Sequence, residues 1–371
     1  MSGRLGHVVA AGSAVESPYQ YTCSVVLGTR HSSGTDVSLI CGSLGAMISK
    51  WWRCDPRYQS DEQLEELTGV SRNVFDLLTD WLEPRWLDLQ AELLEKKRVQ
   101  ARVYAKGGGA VGLEFSSRLF VVLVFLRSNQ MYRTLQATYG VGKDTICRSV
   151  GDVCTLIPEL GVVLSDGMVI GDEDALRALL FEYAAPADDD PDPDGFSGAI
   201  IVDGSFTQVG RPRGWEKQKL LYNYHRGRHC LVFQTCVNAY GDLLWLSPSS
   251  PGSTHDLTAL ASCRLGGLIT ETRVPFMGDK SYQGVQARLG LAKGHQTFVP
   301  VKKPKGKELD DQTKFTNRII ASIRVKVEHI HARIKAWKTL VHYRGRRGKY
   351  DKFDRILRSV GVISTAKYRL T

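Results

Sequence analysis

The sequence predicts an α/β protein in which an all-helical region precedes a strand-rich domain. Apolar residues recur at helical spacing from Ser60 to Tyr183. A Pro/Asp-rich stretch follows at 184–196, with the composition of a solvated linker. Beyond it, short apolar runs bounded by turn residues read as strands, and one long helical pattern closes the domain at 197–342.

The 371 residues are 43% hydrophobic and 24% charged, enough for two or three domains with real cores. No run of about 18 apolar residues suggests a membrane span. The net charge of +10 points to a polyanionic partner, nucleic acid before a membrane surface. The eight cysteines form no Cys-x-x-Cys pair and show no zinc-type Cys/His spacing, so they read as reduced thiols in a cytosolic protein.

Residues 1–46, rich in Gly, Ser, Val and Thr, read as a poorly ordered extension with Met47 as the natural start. The helical DNA-binding region is placed at 47–183. Ser60 precedes Asp61-Glu62-Gln63, a helix-start signature. A Gly69-Val70-Ser71 turn leads into a helix through Leu82, a second charged helix covers Leu87 to Tyr104, and Gly107-Gly108-Gly109 breaks it. Ser116 or Ser117 caps the next helix, whose body is Leu119 to Arg127.

Residues 134–150 then read as a short helix, a Gly140-Val141 turn and a helix opening at Lys143, the shape of a helix-turn-helix. Lys143, Thr145 and Arg148 would be its DNA contacts. Any two packed helices joined by glycine show the same pattern, so packing and DNA reading stand level here. Asp172-Glu173-Asp174 open a further helix over 172–183 and complement its dipole.

Ala199 to Asp203 is the first strand, ending in an acid. Alone, Asp203-Gly204 is more simply a turn. Cys230–Val237 and Asp242–Ser247 form a hairpin around Asn238–Gly241. His255-Asp256 opens a helix; Val274–Asp279 is a fourth strand ending in an acid, and Gln296–Val301 a fifth, running into the Lys302–Lys307 cluster.

The long helix covers Asp311 to Leu340. At about 100° per residue, with Arg324 at zero, Glu328 lies near 40°, His331 near −20°, and Lys335 and Asn317 near 20°. These polar residues share one stripe beside an apolar face of Ile319, Ile323, Val327, Ile330, Ile334 and Trp337, which is core rather than a base wedge. Lys326, His329 and Arg333 take the solvent side. The simpler reading of Arg324 and Glu328 is an exposed i, i+4 pair of small energy, which leaves the rest of the stripe unexplained.

Asp203, Asp279 and Glu328 thus stand out, with Asp256 a fourth acid. Carboxylates converging in a cleft bind hard divalent ions, and two such ions about 4 Å apart can drive phosphodiester chemistry. A basic chain attracts that substrate.

Four blocks carry a resemblance: Val202-Asp203-Gly204-Ser205; Pro251-Gly252-Ser253-Thr254-His255-Asp256; Gly278-Asp279-Lys280-Ser281-Tyr282; and Asn317 with Arg324-x-x-x-Glu328 and Lys335. In this order they resemble DDE transposases of the PIF/Harbinger group and related bacterial insertion-sequence transposases, firmly over 200–340 and more loosely over 60–160. Ser281 stands where the family commonly has Gly or Arg, and Gln136 where helix-turn-helix motifs usually have a small residue.

The resemblance implies a ribonuclease-H-like (retroviral-integrase-like) catalytic domain with Asp203, Asp279 and Glu328 as the catalytic and metal-binding acids; Asp279 or Asp256 completes the triad, and Asp279 at a fourth-strand end is the better fit. Asp256 is a further metal ligand or a helix cap. It implies two Mg2+ or Mn2+ ions, double-stranded DNA partners (terminal inverted repeats and target DNA) and a homo-oligomer. The place of action is the cytoplasm at the nucleoid, or the nucleus in a eukaryotic host. Cleavage by water would free a 3′-hydroxyl that attacks target DNA. The alternatives are a domesticated DNA-binding relative and a nuclease without transposition.

Phosphate contact is expected from Lys302, Lys303, Arg324 and Lys335. Arg211, Arg213, Lys217 and Lys219, and Arg344, Arg346, Arg347 and Lys349 in a basic C-terminal segment at 343–371, fit the same path.

Overall fold

A computed structural model describes residues 53–100, 113–162, 173–184, 196, 198–345 and 350–370. The expectations for residues 1–46, for Gly107–Gly109, for most of the 184–196 linker and for Arg346, Arg347 and Lys349 lie outside the described residues.

Helix α1 (Asp61–Thr68) starts at Ser60 with a full capping box, Ser60 and Gln63 each satisfying the other's backbone N–H. Helix α2 (Arg72–Gln100) corrects the reading of two helices, since it runs unbroken through Pro84. Trp81 on one side of the proline and Trp86 and Leu89 on the other pack on the same core, and that packing outweighs one lost hydrogen bond. Helix α3 (Phe115–Ser128) begins one turn earlier than expected, with Glu114 before it and Ser116 and Ser117 inside its first turn. Its residues 119–124 are all buried, as befits a central helix. Helices α4 (Tyr132–Tyr139) and α5 (Lys143–Leu156) are joined by Gly140, which takes φ +70°, buried Val141, and Gly142. Helix α6 (Glu173–Ala184) comes last in this region.

The sheet is mixed and centres on β1 (Ile200–Val209). One neighbour is β3 (Arg228–Val237), antiparallel; the other is β6 (Phe276–Met277), parallel, followed by β7 (Thr297–Phe298). Strands β2 (Tyr222–Asn223), β4 (Leu243–Leu246) and β5 (Ser250–Pro251) pair with β3, and β8 (His342–Tyr343) pairs with the far end of β1. Helix α7 (Trp215–Leu221) lies between β1 and β2.

The strand period of two sends successive β1 residues to opposite faces. Ile200 and Val202 enter one core with α6, with α8 (Asp256–Ser262) and α9 (Arg264–Thr272), and with Tyr282 and Val285, the latter on α10 (Val285–Leu289). Ile201 enters the other, under α11 (Asp311–Lys335) and α12 (Lys338–Val341), which are separated at buried Trp337. This second core is continuous with that of the N-terminal helices. Their junction is fixed by polar bonds: Thr339 Oγ1 donates to Leu126 O at 3.0 Å and Asn129 Nδ2 to His342 O at 2.6 Å.

Helix α13 (Asp351–Leu370) completes that core with Phe353, Ile356, Leu357, Val360 and Ile363. It occupies the stretch read from sequence as a basic segment. It also explains why Arg333 does not face solvent, since its guanidinium lies 3.4 Å from the Tyr368 ring centre. Lys326 is likewise engaged, donating to Ala239 O. The described cysteines form no disulfide, and no described helix is long and apolar enough to cross a membrane.

Candidate active site

Three aspartates meet at the same level of the sheet. Asp203 lies in β1, two residues past Ile201, which is paired in parallel with Met277 of β6; Asp279 lies two residues past Met277. Continuing that register sets the two acids side by side. Asp279 caps a 3-10 turn, Lys280–Tyr282, accepting from Ser281 N at 2.7 Å and from the Ser281 hydroxyl. Asp256 is the first residue of α8 and approaches from the other side of β1. Its Oδ1 would stand 2.1 Å from a Cβ placed on Gly204, so the carboxylate rests directly against the β1 backbone. Only glycine permits that approach. The helix cap is His255, whose Nδ1 accepts from Leu257 N, so Asp256 is not needed as a cap.

Burial and repulsion shape these groups. Burial pushes the Asp203 carboxyl up to about 6; Arg324 opposes this, and Asp279 and Asp256 add to it. Asp203 and Arg324 are only 17% and 14% exposed, and their ion pair spans 3.3 Å. Asp256 is raised too, first by burial and then by Asp279, with the neighbouring polar side chains of Ser281 and Gln234 opposing. The rise follows from three acids in low dielectric with one guanidinium among them.

Helix α11 carries the rest of the stripe. His331 is bonded to Thr235 Oγ1 at 3.0 Å, and Thr235 is the β3 partner of Asp203. Burial, then Lys335 and Arg324, lower His331 to about 3, so it is a neutral strut. Lys335 is lowered by burial and by Arg226, and lies 4.5 Å from the Phe206 ring centre, with Asp203 acting on its charge. Asn317 is not a site residue in this arrangement: it grips Val301, accepting from its N–H at 2.9 Å and donating to its C=O at 3.1 Å.

Glu328 is exposed on α11, between Arg324 and Lys335 on their stripe, and makes no hydrogen bond or ion pair among the described residues. The structure therefore groups Asp203, Asp256 and Asp279, and leaves Glu328 on the adjoining helix face. Among the described residues, no three acid, histidine or cysteine side chains stand at ligating spacing as they are placed. The donor set nonetheless fits a hard divalent ion, being all carboxylate oxygen with a deficit of positive charge that one arginine partly fills.

Beside the acids opens a cleft of about 580 Å³, lined by Gly204, Asp256, Ser281, His225, Arg226, Lys280 and Lys302 among others. Its rim is basic. Lys303 is paired with Glu308 outside it. Arg211 is held by Gln218, and Lys219 lies 5.5 Å from the Trp215 ring centre, on the β1–β2 excursion. Lys143 and Arg148 are exposed on the first two turns of α5, with Thr145 half-buried between them. Sequence reasoning missed Gln234, the polar interruption of the apolar run Leu231-Val232-Phe233, and the contribution of Arg226 and Lys280 to the cleft.

Residues 202–363 match a family model described as DDE superfamily endonuclease. The match takes in all four acids and continues into α13, beyond the stretch recognisable by motif. The chain is also 22% identical over 289 residues to the probable transposase for insertion sequence element IS702 of Microchaete diplosiphon. That alignment spans 78% of this chain and 89% of the relative. This chain is similar to DDE transposases of the bacterial insertion-sequence type. No solved structure gives a significant match.

Proposed function

We propose that the protein is a transposase that binds the inverted-repeat ends of its own mobile element and, with Mg2+ or Mn2+, cuts them and joins the freed 3′ ends to target DNA. The observation that carries this is that the β1–β6 register sets Asp203 level with Asp279, while Asp256 rests against Gly204 and lines a basic cleft beside them, in a domain that matches the DDE superfamily endonucleases.

Asp203 and Asp279, with Glu328 from α11, would hold the ions, and Asp256 is the fourth candidate ligand. A bound pair of ions would activate the attacking water and stabilise the leaving oxygen. Arg324 holds Asp203 in place and neutralises charge beside it. Lys280, Lys302 and Lys335 draw the phosphodiester towards the acids. The α4–α5 unit reads the element ends through Lys143, Thr145 and Arg148, in the manner of a helix-turn-helix. The catalytic domain has the ribonuclease-H-like arrangement, and joining two ends calls for at least two copies of the chain.

The test is nicking of end-sequence DNA by the purified protein, with divalent ions supplied singly. Cleavage should need Mg2+ or Mn2+ and disappear in Asp203→Ala, Asp279→Ala and Glu328→Ala. Retention of activity by all three variants would refute the assignment. Strand-transfer products on a target plasmid separate a transposase from a nuclease.

A further inference from the structure

Behind Asp256 lies a polar pair that the proposed chemistry does not use. Gln234 is fully buried in β3 and is the direct antiparallel partner of Gly204, so both project to the face on which Asp256 rests. Tyr282, also fully buried, closes the 3-10 turn that starts at Asp279. Its ring packs edge-on against Phe276, with centres 5.7 Å apart. Its phenol donates to Gln234 Oε1. With that oxygen occupied by a donor, the amide's NH2 end is the one left over, on the face where Asp256 rests against Gly204, the β1 partner of Gln234. Gln234 Nε2 is buried and makes no hydrogen bond among the described residues.

We infer that Gln234 and Tyr282 are positioning residues: Tyr282 sets the orientation of the Gln234 amide, and the amide holds Asp256 at the β1 backbone as a ligand-competent carboxylate. A simple core pair would satisfy Gln234 at both ends within the protein interior. Here one end is tied and the other is aimed at an acid that reaches the cleft. The connection links the Asp279 turn to Asp256 through β3, so two of the acids are set by one buried path. This inference rests on the transposase reading for its consequence in catalysis, but not for its consequence in metal binding.

The full chain is tested as Tyr282→Phe, which removes one oxygen and keeps the shape, and as Gln234→Met. Mn2+ affinity is measured by electron paramagnetic resonance, and end cleavage by titration with Mg2+. Each variant should bind Mn2+ roughly tenfold more weakly and need correspondingly more Mg2+ for half-maximal cleavage, with the rate at saturating Mg2+ changed less. In the double variant the loss should match Gln234→Met alone, because the phenol acts only through the amide. In an Asp256→Asn background, Tyr282→Phe should change nothing further. Additive losses, or a folded Tyr282→Phe with wild-type Mn2+ affinity, would overturn the inference. Were Gln234→Met to lose its thermal unfolding transition, the Tyr282→Phe comparison with and without Asp256 would still decide. If the wild-type protein binds Mn2+ at the acids but leaves end DNA uncut, the transposase reading fails, and the binding comparison still judges this one.

Discussion

One guanidinium nitrogen of Arg324 lies 3.3 Å from Oδ2 of Asp203, joining residues 121 positions apart in the chain. The pair links α11 to the central strand and places a positive charge where the acids crowd. Removing it, as in Arg324→Met, leaves Asp203 facing Asp256 and Asp279 with only the more distant charge of Lys335 to offset them. The variant should be less stable by about 3 kcal/mol without metal, the low end of the cost of breaking a largely buried pair. Mg2+ should narrow the gap, because the ion supplies the missing charge. Urea unfolding of both proteins with and without Mg2+ measures this; a deficit insensitive to Mg2+ would count against the charge argument.

The Asp203 carboxyl, raised to about 6 from an ordinary value of 3.8, makes a signed prediction for the metal-free protein. Between those values the native state binds a proton that the unfolded chain has released, so stability falls as pH rises through the window. The loss is about 3 kcal/mol at about 1.4 kcal/mol per pH unit. Below pH 4 the penalty is absent; above pH 6 it is fully present. Asp203→Asn should flatten this part of the profile, and unfolding midpoints at pH 4.5 and 7 for both proteins would show it. The same proton competes with metal, so cleavage should weaken below about pH 6.

Much of this site was legible in the sequence, for identifiable reasons. Asp203 and Asp279 each follow a short apolar run, which is why both stand out in the sequence, but β1 continues to Val209, so Asp203 lies within the strand and not at its end as the sequence suggested. The α11 stripe followed from helical geometry alone, and Arg324, His331 and Lys335 do face the sheet. Glu328 shares their angle but not their partners, since angle does not determine how far a side chain reaches. Asn317 shares it too and serves Val301. The α13 core helix was hidden by basic residues, although Phe353, Ile356, Leu357 and Val360 already carry its period. Gln234 was unreadable without the register that sets it opposite Gly204.

Gly204 permits the closest approach in the site, so Gly204→Ala is the smallest change that should disable it. A methyl group there would stand 2.1 Å from Asp256 Oδ1 and 2.7 Å from its Cγ. The Asp256 side chain is short and α8 is packed, so the carboxylate must swing away from β1. Cleavage should fall at least a hundredfold, about 3 kcal/mol in the barrier. Mn2+ binding should weaken, while the unfolding midpoint moves little, because the strand's own hydrogen bonds are untouched. An active Gly204→Ala would mean that Asp256 has no part in the reaction.

Asn317 offers a separate test of the DNA path. Its amide holds both backbone groups of Val301, the residue before Lys302 and Lys303, and Lys302 lines the cleft. Without that clamp the lysines keep their charge but not their position. Asn317→Ala should therefore leave Mn2+ affinity and the α4–α5 unit unaltered while lowering affinity for end DNA about tenfold, near 1.4 kcal/mol. The slope of log affinity against log salt should become shallower by about one to two units, as expected when one or two lysines no longer neutralise a phosphate. Lys302→Ala in the same background should add little, since the pairing it removes is already gone. An unchanged salt slope in Asn317→Ala would place the DNA elsewhere, on the β1–β2 excursion with Arg211, Arg213 and Lys217, where the same measurement on an Arg211→Ala, Arg213→Ala double variant would find it.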